Sequence, residues 1–457
     1  MALIASISGI RGTLGGGAGD NLSPVDIVRF AAAYGQWVQA QQRGDVILIG
    51  RDARPSGPML LQLVSATLVA QGFTVLDAGL ATTPSVEMGV VHRQAAGGII
   101  LTASHNPVEW NALKLLNYRG EFLSPGDAQA VLENYERQDY RFRPVRELGQ
   151  HLGDERLLEH HIEHILDLDL VDTQAIGQAN LRIVVDAVNS VGGLAVPELL
   201  RKLGVKDIVE LYCHPNGDFP HNPEPLAEHL GDVCQRVRDT KADLGLVVDP
   251  DVDRLAIIDE HGNLIGEEYS LVAIADYVLR HTPGPVVNNL SSSRALIDVA
   301  AKYGQACYSA AVGEVHVVEQ MKRVNAVIGG EGNGGIIYPA LHYGRDALVG
   351  IALFLSHLAQ QKQTVSELRS QLPSYYMSKQ KANLSASQPV DQILKDLVSR
   401  ETEGKINTTD GVKIDLADRW VHLRKSNTEP IVRIYAEAPD PQAAIELANS
   451  YKAKLEA

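Results

Sequence analysis

Cysteine is scarce in this chain: three residues in 457, Cys213, Cys234 and Cys307, with no CxxC pair. So sparse and odd a set supports neither a disulfide framework nor a zinc ribbon. The thiols read as free and buried, in a reducing compartment. Basic charge is also in short supply. The formal net charge is −15, which argues against a nucleic-acid binder, because such proteins carry a basic face. An anionic small molecule is still allowed, since local arginines override the global sign inside a cleft. Long apolar runs are missing too. The longest, around Leu348 to Leu358, is too short to cross a bilayer and reads as a buried helix. Met1 to Gly12 lacks the basic segment and apolar core of a secretory leader. No segment is of low complexity. These absences point to a cytoplasmic globular protein, with neither membrane nor nucleic acid among its partners.

What is present is ordinary for such a protein, 45% hydrophobic and 21% charged residues. At about 100–200 residues per domain the length suggests three or four domains, each able to bury a core.

One supersecondary pattern recurs. An apolar run at Val46 to Gly50 leads into a loop with Ser56, a helical stretch to Gly72, and the apolar Phe73 to Leu76. Leu181 to Val185 starts it again, with Asn189 and Ser190 in the loop, a helix to Gly204 and a strand at Ile208 to Tyr212. Pro285 to Val287 opens a third copy, with its loop at Asn289 to Ser293 and its helix ending at Gly304. Glycine is the expected helix stop, and continuous apolar strands alternating with helices imply parallel βαβ units. The last segment differs. Val412 to Leu416, Trp420 to Leu423 and Ile431 to Ala436 read as strands, and Asp440 to Leu455 as a closing helix. The expected architecture is therefore three related α/β/α domains over 1–150, 151–259 and 260–365, then a smaller α+β domain over 366–457.

Four loops carry chemistry. Thr102-Ala103-Ser104-His105-Asn106-Pro107 follows the apolar Gly97 to Leu101. A strand that delivers a serine into a tight polar turn suits a nucleophile, and small neighbours leave its hydroxyl accessible. Serine needs a base, and His105 and Lys114 are nearby in sequence. The same residues also suit a simple turn or helix cap. Asp249-Pro250-Asp251-Val252-Asp253-Arg254 follows the apolar Leu244 to Val248. Three alternate carboxylates after a strand can converge on one hard cation and repel one another without it. An aspartyl-phosphate nucleophile or a solvated acidic turn is the other reading of this loop.

Gly329 to Gly335 packs five glycines around Glu331 and Asn333. Glycine lets backbone approach a ligand, and the two side chains can hydrogen-bond sugar hydroxyls. A mobile turn is the plainer alternative. Arg424-Lys425-Ser426-Asn427-Thr428-Glu429-Pro430, with Arg433 beyond, offers guanidinium and hydroxyl donors for a phosphate, or else forms a surface hairpin.

With these loops in order, the chain resembles the α-D-phosphohexomutases: phosphoglucomutase, phosphomannomutase and phosphoglucosamine mutase. The likeness runs from Ser8-Gly9-Ile10-Arg11-Gly12 to the 424–430 loop. It implies four domains around one central cleft, each giving one loop. It implies that Ser104 is a phosphoserine, and that Asp249, Asp251 and Asp253 hold one Mg2+ together with that phosphate. Arg11, His105, Lys114 and Arg254 would lie near the transferring group. Glu314, Glu331 and Asn333 would face the sugar, with His342 and Arg345 beside them. Arg424, Ser426, Asn427, Thr428 and Arg433 would bind the phosphate that does not react.

The implied activity is an isomerase reaction. A phosphoryl group moves between the 1- and 6-positions of a hexose phosphate, with a hexose 1,6-bisphosphate as intermediate and activator, in a monomer or homodimer. The Asp-Pro-Asp-Val-Asp-Arg metal loop departs from the glycine-rich form common in relatives but keeps all three carboxylates. The Gly-Glu-Gly-Asn-Gly-Gly loop has Asn333 and Gly335 where many relatives have Ser and His, and looks like the phosphoglucosamine mutase branch. A non-catalytic sugar-phosphate-binding protein is the alternative from another class.

Overall fold

A computed structural model describes residues 3–6, 9–383, 390–425 and 431–456. The chain divides into two compact units, Met1–Ser270 with Asn333–Arg369, and Leu271–Gly332 with Ser370–Ala457.

In the first unit, strands β1 (Ile4–Ser6), β2 (Gly9–Thr13), β3 (Val46–Arg51), β4 (Thr74–Leu80), β5 (Gly97–Leu101), β6 (Trp110–Leu116) and β7 (His151–Gly153) form one mixed sheet in the order β1-β2-β6-β5-β3-β4-β7. The centre is parallel, β5 beside β3 beside β4, as unbroken apolar strands require when helices cover both faces. Helix Pro24–Gln41 starts cleanly because Ser23 and Asp26 form a reciprocal cap and Pro24 takes the first turn, where no N–H is needed. It places Tyr34 against β5, where the phenol donates to the carbonyl oxygens of Leu116 (2.7 Å) and Gly98 (3.1 Å). Gly97 is obligatory there, since a Cβ would lie 2.1 Å from the Tyr34 hydroxyl. All five residues of β5 are buried, and the strand ends at the Thr102–Pro107 loop.

The second sheet uses β8 (Arg182–Asp186), β9 (Asp207–Leu211), β10 (Leu244–Val248) and β11 (Leu255–Ile258), in the order β11-β10-β8-β9. β8, β9 and β10 are parallel and β11 turns back antiparallel. β10 is fully buried and ends at Asp249. Both chemistry-bearing loops thus leave the carboxyl ends of buried strands, where a rigid scaffold can hold an irregular loop.

In the second unit, β12 (Val286–Asn289) lies parallel to both β13 (Cys307–Ala310) and β14 (Ile328–Glu331). The chain returns to the first unit for β15 (Gly335–Ile337) and helix Ala347–Gln361, the apolar run that the sequence marks as buried. It then builds β16 (Tyr376–Asn383), β17 (Lys405–Asn407), β18 (Val412–Asp415), β19 (Trp420–Lys425) and β20 (Ile431–Ala438), an antiparallel sheet ordered β16-β20-β19-β18-β17. Val432, Ile434 and Ala436 of β20 alternate into a core closed by helix Pro441–Glu456, through Ala448, Tyr451 and Leu455.

His422 on β19 gives this unit an acid-sensitive element. Its Nε2 donates to the Asp410 carbonyl at 2.6 Å, and its Nδ1 accepts from the Ser291 hydroxyl at 2.9 Å. Burial, helped by Lys413 and Arg424, pushes the imidazole down to about 4 against the pull of the Asp410 carbonyl. An unfolded imidazole takes its proton near about 6.5. Between those values the unfolded chain binds more protons at this residue, so the His422 contribution to stability falls as pH drops from about 6.5 to about 4 and is constant above that window. Denaturant melts of the full chain at pH 7 and 4.5 should show a loss of up to about 3 kcal/mol, which His422→Gln removes.

Candidate active site

The loop after β5 is wound around one arginine. The Arg54 side chain is wholly buried, and its Nε donates to Asp52 Oδ2 at 2.9 Å. Its Nη2 donates to the carbonyl oxygens of Ser104 (2.5 Å) and Asn106 (2.6 Å), and its Nη1 to those of Pro107 (2.5 Å) and Trp110 (3.0 Å). One planar group thus ties together four carbonyls of the loop, that of Pro107 also accepting from the Trp110 N–H. The Thr102 hydroxyl donates to the same Asp52 carboxylate at 2.6 Å and accepts from the Ser104 N–H at 2.9 Å. So held, Ser104 takes a left-handed φ of 48°, a conformation costly for a residue with a Cβ. Sequence reading missed Arg54. The only local signal is a basic residue next to an acidic strand end.

Lysine offers a point charge and cannot span four carbonyls and a carboxylate. Arg54→Lys should therefore lower kcat by about 10²-fold, because a misplacement near 1 Å suffices for that. KM should change little. Steady-state kinetics beside a thermal melt separates this from general unfolding.

Ser104, whose hydroxyl the sequence leads one to expect accessible, is only 6% exposed as a residue. The Ser104 hydroxyl donates to Asp249 Oδ2 at 2.7 Å, so the nucleophile loop and the carboxylate loop meet. The second loop is also strained, with Val252 at φ 64°. Asp249 Oδ1 accepts from the N–H groups of Asp253 and Arg254, both at 3.1 Å. Asp251 Oδ2 accepts from the Thr83 hydroxyl (2.5 Å) and Lys114 Nζ (2.7 Å). Asp253 Oδ2 accepts from Arg345 Nη2 (2.6 Å) and Lys114 Nζ (3.4 Å). Asp251 Oδ1 and Asp253 Oδ1 are buried and carry no hydrogen bond. Ligand oxygens of the three carboxylates lie within 4.8 Å of one another.

Three wholly buried carboxylates with two oxygens left over are the donor set a hard divalent cation takes. The electrostatics agree. Burial, then repulsion from Asp253 and Asp251, holds the Asp249 carboxyl well above the ordinary carboxylate range. Burial acts the same way on Asp253, but Arg345, Lys114 and Arg254 outweigh it and hold Asp253 below that range. Burial works to lower the Lys114 ammonium, yet Asp251 and Asp253 keep it above its usual value. His105 Nδ1 lies 3.5 Å from the Ser104 hydroxyl, and burial with the Arg254 charge holds its imidazole well below its ordinary value.

Arg11 on β2 sits opposite Ala112 of β6, so it shares a sheet face with Lys114. Arg254 Nε is 3.9 Å from Asp253 Oδ1. Asn333 belongs to the first unit, with a buried Oδ1 that has no hydrogen bond. His342 lies 3.3 Å from Asp346 and 3.5 Å from Glu87. In the second unit, Glu331 Oε1 accepts from Asn289 Nδ2 (3.0 Å) and the Gly313 N–H (2.9 Å), just before Glu314 opens helix Glu314–Val324. Arg424 pairs with Asp410 at 2.8 Å and stands opposite Arg433 across β19 and β20. Ser426, Asn427 and Thr428 lie outside the described residues. Among the described residues no helix is long and apolar enough to cross a membrane.

The phosphoglucomutase/phosphomannomutase family matches the chain in four consecutive segments. They are alpha/beta/alpha domain I at 4–142, domain II at 159–262, domain III at 267–376 and the C-terminal domain at 378–453. The chain belongs to this family. It is thus an isomerase, a phosphohexomutase of four α/β domains. The phosphoglucomutase/phosphomannomutase of Thermococcus kodakarensis is 36% identical, the alignment covering 98% of this chain and 97% of that one. The phosphoglucosamine/phosphogalactosamine mutase of Sulfurisphaera tokodaii is 30% identical, over 100% of both. The crystal structure of a phosphoglucomutase/phosphomannomutase family protein from Burkholderia thailandensis superposes with a TM-score of 0.86. It is 26% identical and covers 99% of this chain and 98% of that one.

Proposed function

We propose that the chain is a phosphoglucosamine mutase, moving a phosphoryl group between the 6- and 1-positions of its sugar through a phosphorylated Ser104. The observation that carries the Ser104 route is its hydroxyl, 2.7 Å from Asp249 in the buried aspartate triad. The choice of sugar is supported by the 329–335 loop and the 30% identical Sulfurisphaera tokodaii relative. In the first half-reaction the P–O bond to Ser104 breaks and a P–O bond to a sugar hydroxyl forms. The sugar proton passes to a base, and the Ser104 oxygen regains a proton when the bisphosphorylated sugar departs from it. The second half-reaction reverses these steps at the other end of the sugar.

Asp249, Asp251 and Asp253, with the phosphate on Ser104, would hold one Mg2+, which supplies charge neutralisation on the transferring oxygens. Lys114, kept protonated by Asp251 and Asp253, suits charge stabilisation rather than proton abstraction. His105, whose Nδ1 lies 3.5 Å from the Ser104 hydroxyl, is placed to take the proton. Arg11 and Arg254 bring positive charge to the same phosphate. Glu314, Glu331 and Asn333 would read the sugar hydroxyls. Arg424, Ser426, Asn427, Thr428 and Arg433 would grip the unreactive phosphate. This assignment uses the four segments 1–150, 151–259, 260–365 and 366–457 as domains that each give one loop. Three half-buried free cysteines fit a reducing, cytoplasmic setting.

The 36% identical relative favours a second reading, a phosphoglucomutase or phosphomannomutase. A substrate panel decides. Purified phosphorylated enzyme, Mg2+ and a trace of hexose bisphosphate are given glucosamine 6-phosphate, mannose 1-phosphate or glucose 1-phosphate. The highest kcat/KM is expected for glucosamine 6-phosphate. A higher value for either other sugar moves the assignment to that mutase. No turnover of any, with binding intact, leaves only a sugar-phosphate-binding protein.

A further inference from the structure

Away from the aspartate triad, the first unit holds a second convergent donor set. Helix Leu157–Leu166 carries His161, and the turn before helix Ala347–Gln361 carries His342 and Asp346. Asp346 Oδ2 is 2.9 Å from His161 Nε2 and 3.3 Å from His342 Nε2. Ligand atoms of all three residues lie within 4.8 Å of one another. Four-coordinate zinc with bonds near 2.0–2.1 Å spaces its ligands at roughly 3.3–3.4 Å. The two imidazole–carboxylate separations lie within a few tenths of an ångström of that spacing.

We propose that His161, His342 and Asp346 form a three-ligand site for a borderline transition ion of the Zn2+ class, separate from the aspartate site and independent of the mutase assignment.

The surroundings of each ligand support this. Metal-bound imidazoles turn their second nitrogen toward an acceptor that fixes tautomer and ring orientation. His161 Nδ1 lies 2.9 Å from the Ser85 hydroxyl, and His342 Nδ1 lies 3.5 Å from Glu87 Oε2. Asp346 Oδ1 accepts from the N–H groups of Leu348 (2.8 Å) and Val349 (3.3 Å), which leaves Oδ2 to face the imidazoles. Two imidazoles and one carboxylate select a softer ion than Mg2+, which prefers oxygen alone. His161 and Asp346 are buried, while the His342 side chain keeps 12% exposure and gives the ion a way in.

Cobalt(II), which replaces zinc and reports geometry by its visible spectrum, tests the site. It is titrated into the EDTA-treated full chain, the Asp249→Asn variant and the His342→Gln variant. A strong four-coordinate band that saturates at about one equivalent, bleaches on adding Zn2+, persists in Asp249→Asn and is lost in His342→Gln supports the proposal. The wild-type band and its bleaching need no variant to fold. Only a faint six-coordinate spectrum, or a band that depends on Asp249 and not on His342, overturns it and leaves the cluster a buried histidine–aspartate hydrogen-bond network.

Discussion

Ser104→Ala is expected to lower kcat/KM by at least about four orders of magnitude, the scale lost when a nucleophile is removed and binding alone remains. The methyl group offers no oxygen to carry phosphoryl, and no neighbouring group can supply one at the same place. Substrate should still bind, since the sugar and distal-phosphate contacts are assigned to other loops. The fold should persist as well. Asp249 Oδ2 loses its hydroxyl donor, but Asp249 Oδ1 keeps the N–H groups of Asp253 and Arg254. Coupled assay, isothermal titration and a thermal melt on one preparation separate these effects. If the phosphoryl carrier were instead an aspartate of the 249–253 loop, Ser104→Ala would keep substantial turnover.

Asp251→Asn is expected to have the second largest effect, about 10³-fold in kcat, which corresponds to the several kcal/mol a bound cation contributes to phosphoryl transfer. The substitution keeps shape and volume. It removes one anionic oxygen from the three buried carboxylates and sets an amide donor among partners that already donate, the Thr83 hydroxyl and the Lys114 ammonium. Chelation of the wild-type enzyme should cause a comparable loss that Mg2+ restores. In Asp251→Asn, saturating Mg2+ should not restore it. Activity within about tenfold of wild type, with or without added cation, would contradict a metal role for this loop.

The parts of the site that were legible in the sequence share one physical cause. Buried parallel strands read as unbroken apolar runs, so β5 and β10 announce themselves, and polar residues at their carboxyl ends stand out against them. That is why Ser104 and the three aspartates could be named without coordinates. The C-terminal sheet was legible for a related reason, because one face is buried and the side chains of β20 alternate. The residues that hold the site in shape were not legible. Arg54 acts through carbonyls of residues 104 to 110, and no one-dimensional pattern tells an arginine that closes a loop from one that faces water. Thr83 meets Asp251 from a helix start 168 positions away in sequence. The buried state of Ser104 escaped for the same reason, since Asp249, which accepts from its hydroxyl, lies 145 positions away in sequence.

The central claim is that Ser104 carries the phosphoryl group between the two ends of the sugar. The most direct measurement is a pulse and chase with hexose 1,6-bisphosphate labelled in its phosphates, read by mass spectrometry of peptides spanning residues 97 to 114. The account requires label on Ser104 in the pulse, and its loss to sugar when unlabelled hexose monophosphate is added, at a rate no slower than turnover. Label that settles on an aspartate, or that remains on Ser104 while the enzyme turns over, would contradict it.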